Sequence, residues 1–297
     1  MNLKVNFFGL TLKNPFFAAS GTVGYGEIYF DENPYGAIVT KGISLEPMEG
    51  NPPPRLMEVE GGIINSIGLQ NVGLENFLLE KVPAIENRGI PYIVNILGTT
   101  VKEFAELYSA LSQTKAIAIE FNISCPNVKK GGAAFSRDKV ALRELSDTIK
   151  EIKSKPVLVK LPPILSDDLL EETIAIFQES ADAFTISNTY PSLSFDWERG
   201  VFFKGGLSGP SIRPITLMMV KKAHSLTDKP IIGVGGIVDG RSALEYFFAG
   251  AKFVQIGSIN LLDPFCIRDI LEDVTDILKK LGFSHIWEAV GIEGMDH

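Results

Sequence analysis

The stretch Ala116-Ile-Ala-Ile-Glu-Phe-Asn-Ile-Ser-Cys-Pro-Asn-Val-Lys-Lys-Gly-Gly132 changes character midway. Its first half is a short apolar run of the kind a strand makes when it is buried on both faces of a parallel sheet. Its second half holds two asparagines, a cysteine and a basic, glycine-rich loop. Equivalent apolar runs occur at Phe16–Ala19, Ala37–Thr40, Tyr92–Ile96, Val157–Val159, Ala183–Ile186, Ile231–Val234 and Phe253–Ile256. With Ile117–Phe121 they make eight.

Helical stripes lie between the runs. Phe104, Leu107, Tyr108 and Leu111 form one, opened by a capping box from Thr100 to Glu103. Leu142, Leu145, Ile149 and Ile152 form a second, and Leu170, Ile174 and Phe177 a third. Asp263-Pro264 is read as the cap and first turn of a last helix carrying Ile267, Ile270, Leu271, Val274, Ile277, Leu278 and Leu281. Eight strands alternating with helices predict an α/β fold, a (β/α)8 TIM barrel. A doubly wound open sheet shares the alternation. Two insertions, Leu45–Asn71 and Tyr190–Pro214, follow strands and are read as elaborated loops at the C-terminal face. No repeat or linker interrupts residues 1–297, which are read as one domain.

The composition fits that reading: 45% of the 297 residues are hydrophobic and 22% charged, as in a soluble protein with a substantial core. A net charge of −8 offers no footprint for nucleic acid. The N-terminus has no long apolar run, so neither signal peptide nor membrane anchor is expected, and a cytoplasmic location is. Cys125 and Cys266 are too few for a disulfide framework, and no CxxC or Cys/His cluster points to a metal in this chain. With His224, His285 and His297 the only histidines, acid–base chemistry falls to another residue type.

In a barrel the C-terminal strand ends converge on one mouth. The residues leaving the eight runs are Ser20-Gly21, Lys41-Gly42, Asn95, Asn122, Lys160, Ser187-Asn188, Gly235-Gly236 and Gly257-Ser258. Singly, each is an ordinary turn or solvated residue. Together, two lysines and several amides suit an anionic ligand with a planar, polar-edged ring. Gly235-Gly236 and Gly257-Ser258 end their strands near helix starts, where backbone N–H groups and the helix dipole favour a phosphate; tight turns without a ligand are the alternative. GVGGIVDG lacks the glycine spacing of a dinucleotide fingerprint.

Cys125 is either a small buried hydrophobe or a reactive group. It lies just past a strand end, before Pro126 and between Asn122 and Asn127, where a partly ionised thiol serves as nucleophile or general base and amides cannot. Cys266 lies among apolar residues and reads as core. INSIGLQN repeats amides around glycine, and Val128–Asp138 is either a mobile lid or a surface turn.

NPFFAASGTVGYG, AIVTKGIS, GNPPPRLMEVEGGIINSIGLQN, NISCPNVKKGG, GGLSGPSIRP, VGGI and VQIGS, in this order over roughly residues 1–290, closely resemble the dihydroorotate dehydrogenases. The resemblance implies a flavin barrel that oxidises (S)-dihydroorotate to orotate in pyrimidine biosynthesis. It implies that Cys125 takes the C5 proton while the C6 hydride passes to FMN. Lys41, Asn65, Asn122, Asn127, Asn188 and Thr189, with Ile67, Gly68 and Leu69, are implied to hold the substrate. Ser20, Gly21, Lys41, Gly42, Asn95, Asn122, Lys160, Ile186, Gly209, Gly235, Gly236, Gly257 and Ser258 are implied to hold FMN, the last four at its phosphate.

A cysteine base marks class 1, and GNPPPR with GLQN resembles subclass 1B, a catalytic subunit in a homodimeric core. Its electron-transfer partner carries FAD and a 2Fe–2S cluster and passes electrons to NAD. The fumarate-using homodimer of subclass 1A has much the same barrel. The chain departs from the family at LPPIL (Leu161–Leu165), in a shortened ERGVFFK, and at Phe121 in place of a commoner leucine. Rival readings are a flavin barrel acting on another dihydropyrimidine, a flavin-free barrel using Cys125 as a covalent nucleophile, and a silent flavin-binding scaffold. An RNA substrate would favour a basic surface, and a free uracil lacks a carboxylate for Lys41.

Overall fold

The computed structural model describes residues 1–29, 31–124, 138–164 and 166–292. Cys125, Asn127 and residues 128–137 of the expected lid therefore lie outside the described residues, as does Leu165 of LPPIL.

An antiparallel hairpin, β1 (Val5–Phe7) and β2 (Leu10–Leu12), opens the chain. The barrel starts with β3 (Phe16–Ala18) and β4 (Ala37–Val39), pauses for β5 (Leu56–Val59) and β6 (Gly62–Asn65), and resumes with β7 (Tyr92–Ile96), β8 (Ala118–Asn122), β9 (Val157–Lys160) and β10 (Ala183–Ile186). After β11 (Tyr190–Asp196) and β12 (Val201–Ser208), it closes through β13 (Ile231–Val234) and β14 (Phe253–Ile256). The closed parallel order is β3-β4-β7-β8-β9-β10-β13-β14, with β14 returning to β3. All eight expected strands are present, and closure decides against the open sheet.

Around the barrel run α3 (Val101–Leu111), α4 (Lys139–Ile152), α5 (Asp167–Phe177), α6 (Arg213–Leu226), α7 (Gly240–Phe248) and α8 (Ile267–Lys280). Between β4 and β7 the chain also forms α1 (Gly73–Asn76), a π-helical turn at Phe77–Lys81 and α2 (Val82–Asn87), which were not anticipated. The anticipated stripes are the buried faces of α3, α4 and α5. Thr100 caps α3 through Oγ1, 3.2 Å from Glu103 N, but the Glu103 carboxylate reaches back one residue further than expected, to Thr99 N and Oγ1.

Phe121, the unusual residue of β8, faces outward. It stacks on Phe104 of α3 at 5.6 Å with 27° between the rings, and Tyr108 packs beside it. The departure from leucine thus fills the strand–helix interface and leaves the barrel interior unchanged. At the other end of the strands, β1 closes the floor: Phe7 meets Phe17 and Phe253 edge-on at 5.3 and 5.0 Å. With the floor plugged by aromatic rings, access to the interior is from the opposite end.

The two insertions are not independent loops. They form one four-stranded antiparallel sheet in the order β11-β12-β6-β5, with Gly206 opposite Asn65 and Ser208 opposite Ile63. Glu60-Gly61 turns the first hairpin, with Gly61 at φ +75°. Asp196 turns the second by accepting from the backbone N–H groups of Glu198 and Arg199 at 3.0 Å. The helix start expected at Asp263 is also corrected. Asp263 accepts from Phe265 N in a separate turn, and α8 begins at Ile267 behind a buried Cys266.

Candidate active site

Each barrel strand sends alternate residues inward, and near the mouth these are polar. Asn122 and Lys160 lie opposite one another at the ends of β8 and β9. Lys160 is buried, at 6% exposure. Lys41 arches over the turn that follows β3: its N–H donates to Gly24 O at 2.8 Å, and its Nζ lies 3.5 Å from where a Cβ on Gly21 would stand. Burial lowers the Lys41 pKa, and the neighbouring Lys160 cation lowers it further. Two ammonium groups facing one another in a partly dry space are relieved by an anion between or beside them.

An amide cluster adjoins them. Asn122 Oδ1 accepts from Ser124 N at 3.3 Å, from the Ser124 hydroxyl, and from Asn188 Nδ2 at 3.4 Å. Asn188 Nδ2 also donates to Ser124 Oγ at 2.5 Å, and its Oδ1 accepts from Thr189 N at 2.8 Å. Among the described residues every side-chain bond to Asn122 uses its oxygen, so the cluster fixes which way the amide faces. Ser124, the last described residue before Cys125, is held within this network.

The insertion sheet covers this cluster on one side. Asn65 Nδ2 donates to Gly206 O at 3.0 Å, and a Cβ on Gly206 would collide with Thr189 Oγ1, so the glycine admits Thr189 beside Asn65. Ile67, Gly68 and Leu69 follow in a strained turn, with Gly68 at φ +73° and Leu69 at φ +58°. Arg55 holds that turn down: Nε donates to Asn51 O at 2.5 Å, and its guanidinium donates to Gln70 Oε1 at 2.6 Å and Glu49 O at 3.1 Å. Ile67 O in turn accepts from Asn51 N at 3.0 Å. The motif GNPPPR thus acts as a clamp on INSIGLQN, a link that the sequence reading did not make.

Beneath the mouth lies a buried polar layer. Asn95 of β7 and Glu120 of β8 are opposite one another, and Thr185 of β10 and Gln255 of β14 complete the group, all at 0% exposure. A Cβ on Gly42 would come within 2.8 Å of Asn95 Oδ1, so Lys41-Gly42 and Asn95 share one wall. Ile186 differs from the other candidates. Alternation along β10 turns Thr185 inward and Ile186 outward, so only the Ile186 backbone reaches the mouth.

At the far side, Gly209 (φ +108°) and Gly236 (φ +66°) abut: a Cβ on Gly236 would lie 2.6 Å from Gly209 O. Tyr246 Oη donates to Gly235 O at 2.6 Å and Arg213 to Gly236 O at 3.4 Å, pinning this turn. Gly257-Ser258 borders Ala19-Ser20, because β14 pairs with β3 and Ala19 N donates to Ile256 O at 2.8 Å. Both turns lie near helix starts, as expected: α7 begins at Gly240, shortly after Gly236, and a 3-10 helix begins at Ser258 itself. Asp239 caps α7 itself, accepting from Ser242 N at 2.7 Å, and the residues after Gly257 form a short 3-10 turn well before α8. What these turns offer an anion is backbone N–H groups.

No group of three or more His, Cys, Asp or Glu side chains among the described residues is placed to hold a metal ion. No helix among them is long and apolar enough to cross a membrane.

A closed parallel barrel with lysines and amides gathered at one mouth defines a small-molecule enzyme of the (β/α)8 class. The dihydroorotate dehydrogenase family profile matches residues 2–278. The chain belongs to that family. It is 43% identical to the protein named dihydroorotate dehydrogenase B (NAD(+)), catalytic subunit, from Caldicellulosiruptor saccharolyticus, over 98% of this chain and 99% of the relative. Proteins of the same name from Geotalea daltonii and Geobacillus kaustophilus are 41% and 42% identical, over 98% and 97% of this chain and 97% and 95% of theirs. In fold it is similar to the dihydroorotate dehydrogenase of Eimeria tenella solved with ferulenol, with a TM-score of 0.81 and 21% identity over 98% of this chain and 88% of that one.

Proposed function

We propose that this chain is the catalytic subunit of an NAD-linked, subclass 1B enzyme that oxidises (S)-dihydroorotate to orotate. The observation that carries the reading is the meeting of Lys41 and Lys160 beside the Asn122–Ser124–Asn188 network, directly ahead of Cys125. The names of the full-length relatives support NAD over fumarate as the final acceptor.

The residues present fit FMN. Asn95 Oδ1 and Gln255 Oε1 are buried acceptors without a partner among the described residues, and a Cβ on Gly21 or Gly257 would meet only Lys41 Nζ at 3.5 Å or Ala19 Cβ at 3.8 Å, so both leave room for a ligand. When bound, FMN supplies the acceptor for the hydride that leaves C6 of the substrate. Ser20, Gly21, Gly42, Asn95, Lys160 and Gly209 line its ring and chain in this reading, with Ile186 contributing backbone only. Lys160 supplies a fixed positive charge at an electron-rich edge.

The substrate carboxylate and ring amides are held by Lys41, Asn65, Asn122, Asn127, Asn188 and Thr189, with the clamped Ile67–Leu69 turn beside them. Cys125 removes the C5 proton as thiolate. The surrounding amides orient the ring without competing for that proton. The chain works in a reducing cytoplasm as a homodimeric core joined by an electron-transfer subunit bearing FAD and a 2Fe–2S cluster; no such cluster is proposed in this chain.

The test is Cys125→Ser in the holoenzyme, followed by stopped-flow reduction of the flavin with dihydroorotate. Loss of a general base costs roughly a hundred- to ten-thousand-fold in rate at neutral pH, with FMN still bound. Reduction at the wild-type rate contradicts the proposed role.

A further inference from the structure

β8 carries one charged side chain into the barrel interior. Glu120 is 0% exposed, and its hydrogen-bond partners among the described residues are all uncharged. Its carboxylate accepts from three other strands. Oε1 takes Asn95 Nδ2 at 2.7 Å, and Oε2 takes Thr185 Oγ1 at 2.7 Å and Gln255 Nε2 at 2.9 Å. A buried carboxylate without a cation is costly and persists only where its hydrogen bonds serve a purpose.

The consequence lies in the two amides. A carboxylate only accepts, so Asn95 and Gln255 must each turn their NH2 towards Glu120. Their oxygens point away, and they are the two buried side-chain polar atoms with no partner among the described residues. The Asn95 backbone cannot compensate by rotating. Its N–H donates to Thr40 Oγ1 at 3.3 Å and its carbonyl accepts from Ile43 N at 2.9 Å. The only freedom left at Asn95 is which end of the amide faces out, and Glu120 removes it.

We propose that Glu120 is a positioning residue: it fixes Asn95 as an acceptor towards the bound cofactor. This rests on the flavin reading above. The oxidised isoalloxazine ring has one ring N–H, set between two carbonyls, and an outward oxygen at Asn95 matches it. An outward NH2 would face acceptors already crowded with lone pairs. Glu120 touches neither cofactor nor substrate and acts through Asn95.

Amide chemistry supplies a test that separates this role from simple support of the fold. In Glu120→Gln the side-chain oxygen stays where Thr185 and Gln255 donate, so the new NH2 faces Asn95. Asn95 then flips and presents its NH2 to the ligand. Adding Asn95→Asp places a carboxylate there, which accepts from that new NH2 on one side and from the ligand on the other. The pair keeps one negative charge and restores the outward acceptor. Asn95→Asp alone sets two carboxylates against each other with no donor between them.

Flavin would be stripped from wild type, both single variants and the double variant. FMN would then be titrated back with quenching of its fluorescence, and the fold of each protein followed by melting. Glu120→Gln and Asn95→Asp are each expected to weaken FMN binding about tenfold or more, and the double variant to return close to wild type. Wild-type affinity in folded Glu120→Gln overturns the proposal, as does a double variant as weak as the singles combined. Should Glu120→Gln not fold, the double variant is compared with Asn95→Asp: tighter binding by the pair supports the proposal and equal or weaker binding overturns it. Wild-type protein that fails to take up FMN would overturn the flavin reading itself, and this proposal with it.

Discussion

Gly236→Ala, compared with Gly89→Ala, isolates the contribution of the turn between Gly209 and Gly236 to cofactor binding. The two glycines have nearly the same backbone, φ +66° and +65°. Each substitution therefore carries the same cost of placing an L-residue in the left-handed region, about 1–2 kcal/mol. Their surroundings differ. A Cβ at Gly89 meets nothing within 4 Å, whereas one at Gly236 stands 2.6 Å from Gly209 O and 3.0 Å from both Pro210 Cα and Arg213 Cβ. The closest approach is 0.8 Å inside the 3.4 Å at which ordinary contact begins, and two of the three atoms are backbone.

Overpacking of this kind adds about 1–3 kcal/mol and is relieved only by shifting the Gly209-Pro210 turn away from the mouth. Melting of the flavin-free proteins and FMN titration read the two effects separately. Gly89→Ala should lower Tm by roughly 2–4 °C per kcal/mol and leave FMN affinity unchanged. Gly236→Ala should lower Tm further and weaken FMN about tenfold or more, since about 1.4 kcal/mol of displaced contact is tenfold. Equal Tm values for the two variants, with wild-type FMN affinity in Gly236→Ala, would refute the reasoning.

Three more outcomes are expected. Burial, and then the Asp263 carboxylate, push the Cys266 thiol up to about 11; near pH 8 only about one part in a thousand is thiolate, so iodoacetamide should spare Cys266 in the folded chain and modify it after denaturation, as peptide mapping would record. Lys41 has a folded pKa below its ordinary 10.5, chiefly through burial and then through Lys160. The folded state thus holds fewer protons than the unfolded one between those two values, and stability rises with pH across that window. Lys41→Met should therefore raise the Tm of the flavin-free protein at neutral pH, by a margin that closes as pH passes through the window, while weakening orotate binding; a lower Tm at neutral pH contradicts this. Phe121→Ala should cost roughly 3–5 kcal/mol in urea unfolding without changing FMN affinity, because its ring packs on Phe104 and Tyr108 on the helical side.

The barrel was legible because its strands are buried on both faces, which leaves continuous apolar runs such as IIGV and AIV. Most site candidates were legible for a related reason: closure carries every strand end to one mouth, so a list of strand-end residues is already a list of neighbours. The insertion sheet was not legible. Its strands carry Gly and Pro, and the pairing of Asn65 with Gly206 joins segments far apart in sequence. The alternation in LMEV and in YPSLSFD was its local trace. The role of Arg55 was hidden in the same way, since its partners are backbone oxygens and an amide that only the folded turn brings within reach.

Glu120 was passed over although its signal was present, a single carboxylate in a run otherwise fit for burial. Its meaning depends on Asn95, Thr185 and Gln255 arriving from three other strands.

The most direct test of the central claim is anaerobic mixing of the purified, flavin-loaded chain with dihydroorotate while the flavin's visible absorption band is followed. The band is expected to bleach, with orotate formed in equal amount, before any electron acceptor is added. A band that persists with dihydroorotate in excess would contradict the claim.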